Sequence, residues 1–226
     1  MAERIQNHGE ITLAHNGVLF LDEILEFNRE TLELIREPLE DRKISINRVT
    51  NSITYPCNFM LVASMNPCPC GYYGSNLKEC TCSAEQISKY INKLSGPLLD
   101  RIDIHVEVHP VKYNELTAER PNETSSEIKQ RVNKAKKIQL ERYSNDAIYS
   151  NSQLTTKLIK KYCKLTKDCE KLLERAFNTL NLSARAYERI LKLARTIADL
   201  DESEEIKINH LAEAIQYRSL DRKYWS

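Results

Sequence analysis

Val18-Leu19-Phe20-Leu21-Asp22-Glu23 is the stretch on which the fold turns. Consecutive apolar residues ending in two carboxylates suit a strand buried on both faces, with the charge at its C-terminal tip. A second buried strand is predicted from Phe59 to Met65, directly before Asn66. A third runs from Ile102 to Val108, alternating Ile102, Ile104, Val106 and Val108. Upstream, Gly9 to Leu13 alternates polar and apolar residues as a half-buried strand does. Asn28 is placed to cap a helix whose Leu32, Ile35 and Leu39 keep helical spacing, and Pro38 limits its length. Lys43 to Tyr55 reads as a hairpin with Ile44 and Ile46 on one arm, Ile53 and Tyr55 on the other, and Asn51-Ser52 near the turn. Strands separated by helices predict an α/β layer built on a parallel sheet.

Beyond Pro110 the pattern turns helical. Thr117 to Ser125 is polar, holds Pro121 and reads as a linker. Helices are predicted over 126–143, 154–162, 168–180 and 183–200, the last with Tyr187, Ile190, Leu191, Ala194, Ile197 and Ala198 as one apolar stripe. Asn209 is expected to cap a final helix carrying Leu211, Ala212 and Ile215. The chain thus divides into a partial α/β domain, 1–116, and an all-α domain, 117–226.

Composition narrows the function classes. With 226 residues, 41% hydrophobic and 29% charged, the chain can bury a real core. Its 33 basic residues against 32 acidic ones give a net charge of +1, so no bulk electrostatic case for nucleic acid or membrane follows. No apolar run reaches the roughly 18 residues of a membrane span, and residues 1–6 show no signal-peptide core. Seven cysteines, an odd number, argue against a secreted disulfide framework, and a cytoplasmic location is expected. None of the five glycines precedes a lysine, so the glycine-rich loop that cradles phosphates is not in these residues. The five histidines are scattered without a nucleophile–base pattern.

The chemistry-bearing residues gather at predicted strand ends. Apolar residues followed by Asp22-Glu23 form a Walker B arrangement: an Asp there holds Mg²⁺, and the adjacent Glu polarises an attacking water. The same pair also serves merely to end a strand. Asn66, beside it if the strands are neighbours, orients water without competing for the metal, or simply turns the chain before Pro67. Arg101 lies just before a predicted strand, where a guanidinium either stabilises charge on a γ-phosphate or pairs with Asp100 or Asp103. Cys68-x-Cys70 and Cys80-x-Cys82 offer four thiolates for a tetrahedral Zn²⁺, the alternative being a reduced, metal-free loop. Cys57, Cys163 and Cys169 read as core or surface thiols.

Taken in order, these pieces resemble the magnesium-chelatase-like AAA+ ATPases of the ComM/YifB type. The resemblance runs from about Gly9 to Arg218 and rests on four stretches: 9–23, 64–71, 94–103 and 182–200. It implies a partial AAA+ core followed by a helical AAA+ lid, with Walker B at Asp22 and Glu23 and sensor 1 at Asn66. Arg101 matches the arginine finger and Arg185 the sensor 2 arginine. The hairpin matches one that faces nucleic acid in related helicases, and here it carries Arg42, Lys43 and Arg48; surface solubility is the alternative role for these charges. The implied cofactors are ATP and Mg²⁺, and the implied partners are DNA and further copies in a ring. The chain corresponds to the C-terminal part of such a protein. It therefore needs the Walker A half as a partner and is expected to be inactive in ATP hydrolysis alone. Nothing in it points to a porphyrin site. A non-catalytic interaction or zinc-binding module is the competing class.

Overall fold

Strand β1, Val18–Leu21, pairs in parallel with β4, Met60–Ala63, in the computed structural model, which describes residues 9–47, 52–108, 123–180 and 182–218. The register aligns Val18 with Met60 and Phe20 with Val62, so these four side chains share one face of the sheet. That face is open: Phe20 is 58% and Met60 60% exposed, whereas Leu19 and Leu61 on the other face are half-buried. The expectation of strands buried on both faces is therefore corrected. Among the described residues no layer covers the outer face. The continuous apolar run is nonetheless a strand, and the pairing is parallel as predicted.

Two further predicted strands do not form. Residues 10–13 are a short helix, α1 (Glu10–Leu13), because the Gly9 carbonyl accepts from the Thr12 and Leu13 N–H groups at 2.9 and 3.1 Å. Residues 102–108 lack a strand ladder, and Ile104, Val106 and Val108 are exposed. An alternating pattern becomes a strand only when a neighbour satisfies its backbone groups.

Between β1 and β4 the chain makes α2 (Arg29–Leu34), α3 (Arg36–Asp41), β2 (Lys43–Asn47) and β3 (Ser52–Pro56). Asn28 caps α2 as expected, its side chain accepting from Thr31 N–H at 2.8 Å. The predicted single helix is broken at Ile35. Pro38 has no N–H to offer and its ring opposes the carbonyl of Leu34, the last residue of α2. The hairpin has the predicted arms, with Ile44 opposite Tyr55 and Ile46 opposite Ile53 in an antiparallel register. Arg48 and Asn51 lie outside the described residues, as do His109, Pro110 and the linker up to residue 122. Helices α4 (Ala84–Ile91) and α5 (Gly96–Leu99) complete this unit, whose buried side chains include Ile24, Leu25, Leu32, Ile35, Leu94 and Leu98.

The chain divides into two compact units between Ile102 and Asp103. The second contains α6 (Ser125–Arg142), α7 (Thr156–Tyr162), α8 (Lys167–Leu180), α9 (Ala184–Leu200) and α10 (Ile208–Gln216). Thr124 closes a capping box with Glu127, and Ser183 caps α9 by accepting from Ala186 N–H at 3.1 Å. Ile190, Leu191, Ala194 and Ala198 of the predicted stripe are buried, Ile197 packs against the same core, and Tyr187 remains 40% exposed. Asn209 is not the cap of α10. Lys207 holds that position, and its N–H donates to His210 Nδ1 at 3.1 Å. Cys57, Cys163 and Cys169 are all buried, each within its own unit's core.

Candidate functional site

The parallel pairing of β1 and β4 carries both strand ends to one edge, where ligands bind in open α/β sheets. Asp22 and Glu23 leave β1 there, and Ser64, Met65 and Asn66 leave β4. The backbone is stitched across the gap: Ser64 N–H donates to Leu21 O at 3.0 Å and Ile24 N–H donates to Ser64 O at 2.9 Å. Glu23 adopts left-handed φ and ψ of 48° and 54°, a conformation uncommon for a non-glycine residue and concentrated at functional sites. Its N–H is satisfied by Ser64 Oγ at 3.0 Å. The Ser64 hydroxyl in turn donates to Asp22 Oδ1. Asn66 Nδ2 donates to Glu23 Oε1 at 3.4 Å.

Three of the predicted residues, Asp22, Glu23 and Asn66, thus converge at an exposed strand edge. Ser64 is the member that the sequence reading did not assign. It is the first polar residue after the second apolar strand, and that position was the available signal. Tyr90 of α4 belongs to the same neighbourhood: burial, then the carboxylates of Glu26 and Glu23, push its phenol up. The carboxylates and hydroxyl form a hard-oxygen set of the kind that Mg²⁺ takes, so Asp22 and its surroundings fit that ion.

Arg101 is engaged elsewhere. Its guanidinium pairs with Glu40 of α3 and donates to the Pro97 carbonyl at 2.5 Å. It follows α5, and the predicted strand over residues 102–108 after it does not form, which corrects the geometry assumed for it. Asp103 pairs instead with Arg189 of α9. Arg185 is exposed in the first turn of α9, in the second unit. Arg42 and Lys43 are exposed at the base of the hairpin, Arg42 in a left-handed conformation that ends α3.

The four loop cysteines converge as well. Cys68 Sγ lies 3.3 Å from Cys70 Sγ and 3.7 Å from Cys80 Sγ, and Cys70 lies 3.6 Å from Cys80. Cys82 completes a set whose sulfurs all fall within 4.8 Å of one another. The backbone N–H groups of Tyr72 and Thr81 push the Cys70 thiol down, while burial and the Cys70 and Cys68 sulfurs push the Cys80 and Cys82 thiols up.

A parallel strand pair with a carboxylate pair and an amide at its tip, followed by a helical unit, is an AAA+-like arrangement. The chain belongs to the magnesium chelatase subunit ChlI family: the model of that name matches residues 2–116, and that of the ChlI C-terminal region matches residues 122–218. It is 46% identical over 220 residues to the uncharacterized protein YifB of Escherichia coli (strain K12), covering 96% of this chain and 42% of that protein. The same identity and coverage relate it to the competence protein ComM of Haemophilus influenzae. The uncharacterized protein Mb2921c of Mycobacterium bovis is 34% identical over 210 residues, or 93% of this chain and 41% of its own. The chain therefore spans about two-fifths of the length of the curated relatives it matches. Among the described residues no helix is long and apolar enough to cross a membrane.

Proposed function

We propose that these residues form the water-polarising half of an ATPase site in a magnesium-chelatase-like AAA+ protein that works on DNA. The observation that carries the reading is the hydrogen bond from the Asn66 amide to the Glu23 carboxylate at the sheet edge, beside an Asp22 oriented by Ser64. Asp22 would hold Mg²⁺, which supplies charge neutralisation on the phosphates when bound. Glu23 polarises the attacking water, and Asn66 fixes the carboxylate that does so. The phosphates need backbone N–H groups and a lysine in a glycine-rich loop. That loop is not among these 226 residues, so the chain by itself does not turn over ATP.

Arg101 and Arg185 complete the site in the assembled ring, Arg101 as the finger reaching a neighbouring subunit and Arg185 as the sensor on the helical unit. DNA is the substrate of the mechanical work, remodelled as in branch migration, and the name of the competence protein relative supports that direction. Arg42, Lys43 and Arg48 of the hairpin contact its phosphates, in the cytoplasm. The test joins this chain to a Walker A-bearing N-terminal segment and assays ATP turnover with and without DNA. Glu23→Gln should keep nucleotide binding and lower turnover by ~10² or more. Normal turnover in that variant would sink the assignment.

A further inference from the structure

We propose that Cys68, Cys70, Cys80 and Cys82 bind one structural Zn²⁺ that clasps the loop between β4 and α4 and so holds Asn66 against Glu23. The metal assignment stands on the cysteines alone, and its consequence for Asn66 rests on the ATPase reading above.

Geometry carries the first part. Zinc–thiolate bonds of about 2.3 Å in a tetrahedron separate the sulfurs by about 3.8 Å. The three sulfur–sulfur distances of 3.3, 3.6 and 3.7 Å are near that edge and far from bonding contact. A disulfide, at about 2.05 Å, is a different arrangement. The chain reaches it by two left-handed glycines, Gly71 at φ +80° and Gly74 at φ +76°, positions where a Cβ is strained. Tyr73 N–H donates to Cys68 Sγ at 3.3 Å, a backbone bond that stabilises a ligating thiolate. Cys68 is fully buried and the other three are half-buried, so the site is shielded without being sealed. Four soft thiolates select zinc over magnesium or calcium. With every coordination position taken by protein sulfur, no site remains for a reacting water, and the role is structural.

Connectivity carries the second part. Cys68 is two residues after Asn66, and Cys82 immediately precedes Ser83, the N-cap of α4. Ser83 accepts from Gln86 N–H at 3.2 Å and the Gln86 side chain accepts from Ser83 N–H at 2.9 Å, so the C-terminal anchor of the loop is a rigid helix start. A metal joining Cys68 to Cys82 ties the Asn66 segment to that helix. Along the chain the same two segments are joined by a stretch without helix or strand, residues 64–83, so the metal shortens that connection.

The experiment uses the whole chain, purified under reducing conditions without chelator. Elemental analysis should give about one zinc per chain. Replacement by Co²⁺ should produce the spectrum of a tetrahedral tetrathiolate centre. Cys80→Ser and Cys82→Ser, at partly exposed positions, should each lose the metal while α9 keeps its amide protection. Stripping zinc from the unmodified protein should raise hydrogen exchange across residues 64–71 by roughly tenfold or more, with α9 unchanged. Metal-free protein that takes up no Co²⁺, or iron in place of zinc, would overturn the metal site. Zinc bound with unchanged exchange at residues 64–67 on its removal would overturn the clasp. Neither readout depends on ATP turnover, so failure of the ATPase reading would appear separately, in Glu23→Gln.

Discussion

Asn66 donates its side-chain amide to the Glu23 carboxylate at 3.4 Å, across 43 positions of sequence, because β1 and β4 run parallel with their tips in register. The two residues belong to different strand ends, and neither could orient the other without that pairing. The Ser64 hydroxyl does the same for Asp22, two residues earlier on the second strand end.

That geometry separates positioning from chemistry. In the chain joined to a Walker A-bearing segment, Ser64→Ala should lower turnover by roughly tenfold, since Asp22 and the Glu23 N–H both lose a partner. Asn66→Ala should lower it by a similar factor, and Asn66→Asp by more, because a second carboxylate would face Glu23. Nucleotide affinity, measured by titration calorimetry, should stay within a few-fold in both alanine variants. A large loss of affinity with unchanged turnover per bound nucleotide would mean that these residues hold the nucleotide instead.

Arg101 gives a test that depends on assembly. Its pairing with Glu40 keeps it within its own subunit in the isolated chain. If it reaches a neighbour's nucleotide in a ring, Arg101→Ala rings should lose hydrolysis by ~10³. Mixed rings combining Arg101→Ala with Glu23→Gln subunits should recover part of it, since each subunit type supplies what the other lacks. Recovery would be read as turnover against mixing ratio. Unchanged turnover in an all-Arg101→Ala ring would remove the finger role and leave Arg101 with its contacts inside its own subunit, Glu40 among them.

The helical unit offers a stability test. Asp199 is fully buried and accepts from Arg142 Nη1 at 2.9 Å, Arg195 Nε at 3.1 Å and Asn151 Nδ2 at 2.8 Å. Arg195 also donates to the carbonyls of Glu204 and Ser203 at 2.7 and 2.6 Å, which ties the end of α9 to the turn before α10. Asp199→Ala leaves two guanidinium groups without their shared carboxylate and should cost about 3–5 kcal/mol. Breaking the exposed Lys134–Glu202 pair by Lys134→Ala should cost no more than about 0.5 kcal/mol. Denaturant titrations of the two variants side by side check the contrast.

How much of this was legible in the sequence follows from the range of each interaction. The Asp22–Glu23 pair, the Asn28 cap and the α9 stripe are set by residues within a few positions of one another, and the residue pattern revealed them. The α2–α3 break at Ile35 was half visible, because Pro38 announces it but the clash falls four residues upstream. Whether residues 102–108 would pair was not legible, since alternation describes a strand's faces and not its neighbour. Exposure of Phe20 and Met60 was hidden for the same reason. The Glu40–Arg101 and Asp199 networks join residues far apart in sequence, and charge alone does not say which partners meet.

The core of the helical unit should fail at high pH in a defined window. Burial pushes the Cys163 thiol up from 9.0 to about 11 and the Tyr143 phenol from 10.0 to about 12. Each becomes an anion on losing its proton, so burial favours the neutral form and the unfolded chain deprotonates first. The unfolded state then binds fewer protons than the folded one, and stability falls as pH rises. The contribution of these two groups is complete below pH 9.0. It declines from there as Cys163 titrates, then further from pH 10.0 as Tyr143 does, and is lost by about pH 12. With Tyr143 1% and Cys163 5% exposed, each group contributes about 2–3 kcal/mol. Denaturant midpoints followed through the helical circular dichroism signal should therefore hold steady from pH 7 to 9 and drop above it. Cys163→Ala should lower stability at neutral pH through the cavity it leaves, yet flatten the first part of the decline. Tyr143→Phe removes the upper part, at the expense of the hydrogen bond from its hydroxyl to Asn151 Oδ1 at 2.6 Å. A midpoint that falls as steeply above pH 9 in both variants as in the parent would assign the alkaline loss to other groups.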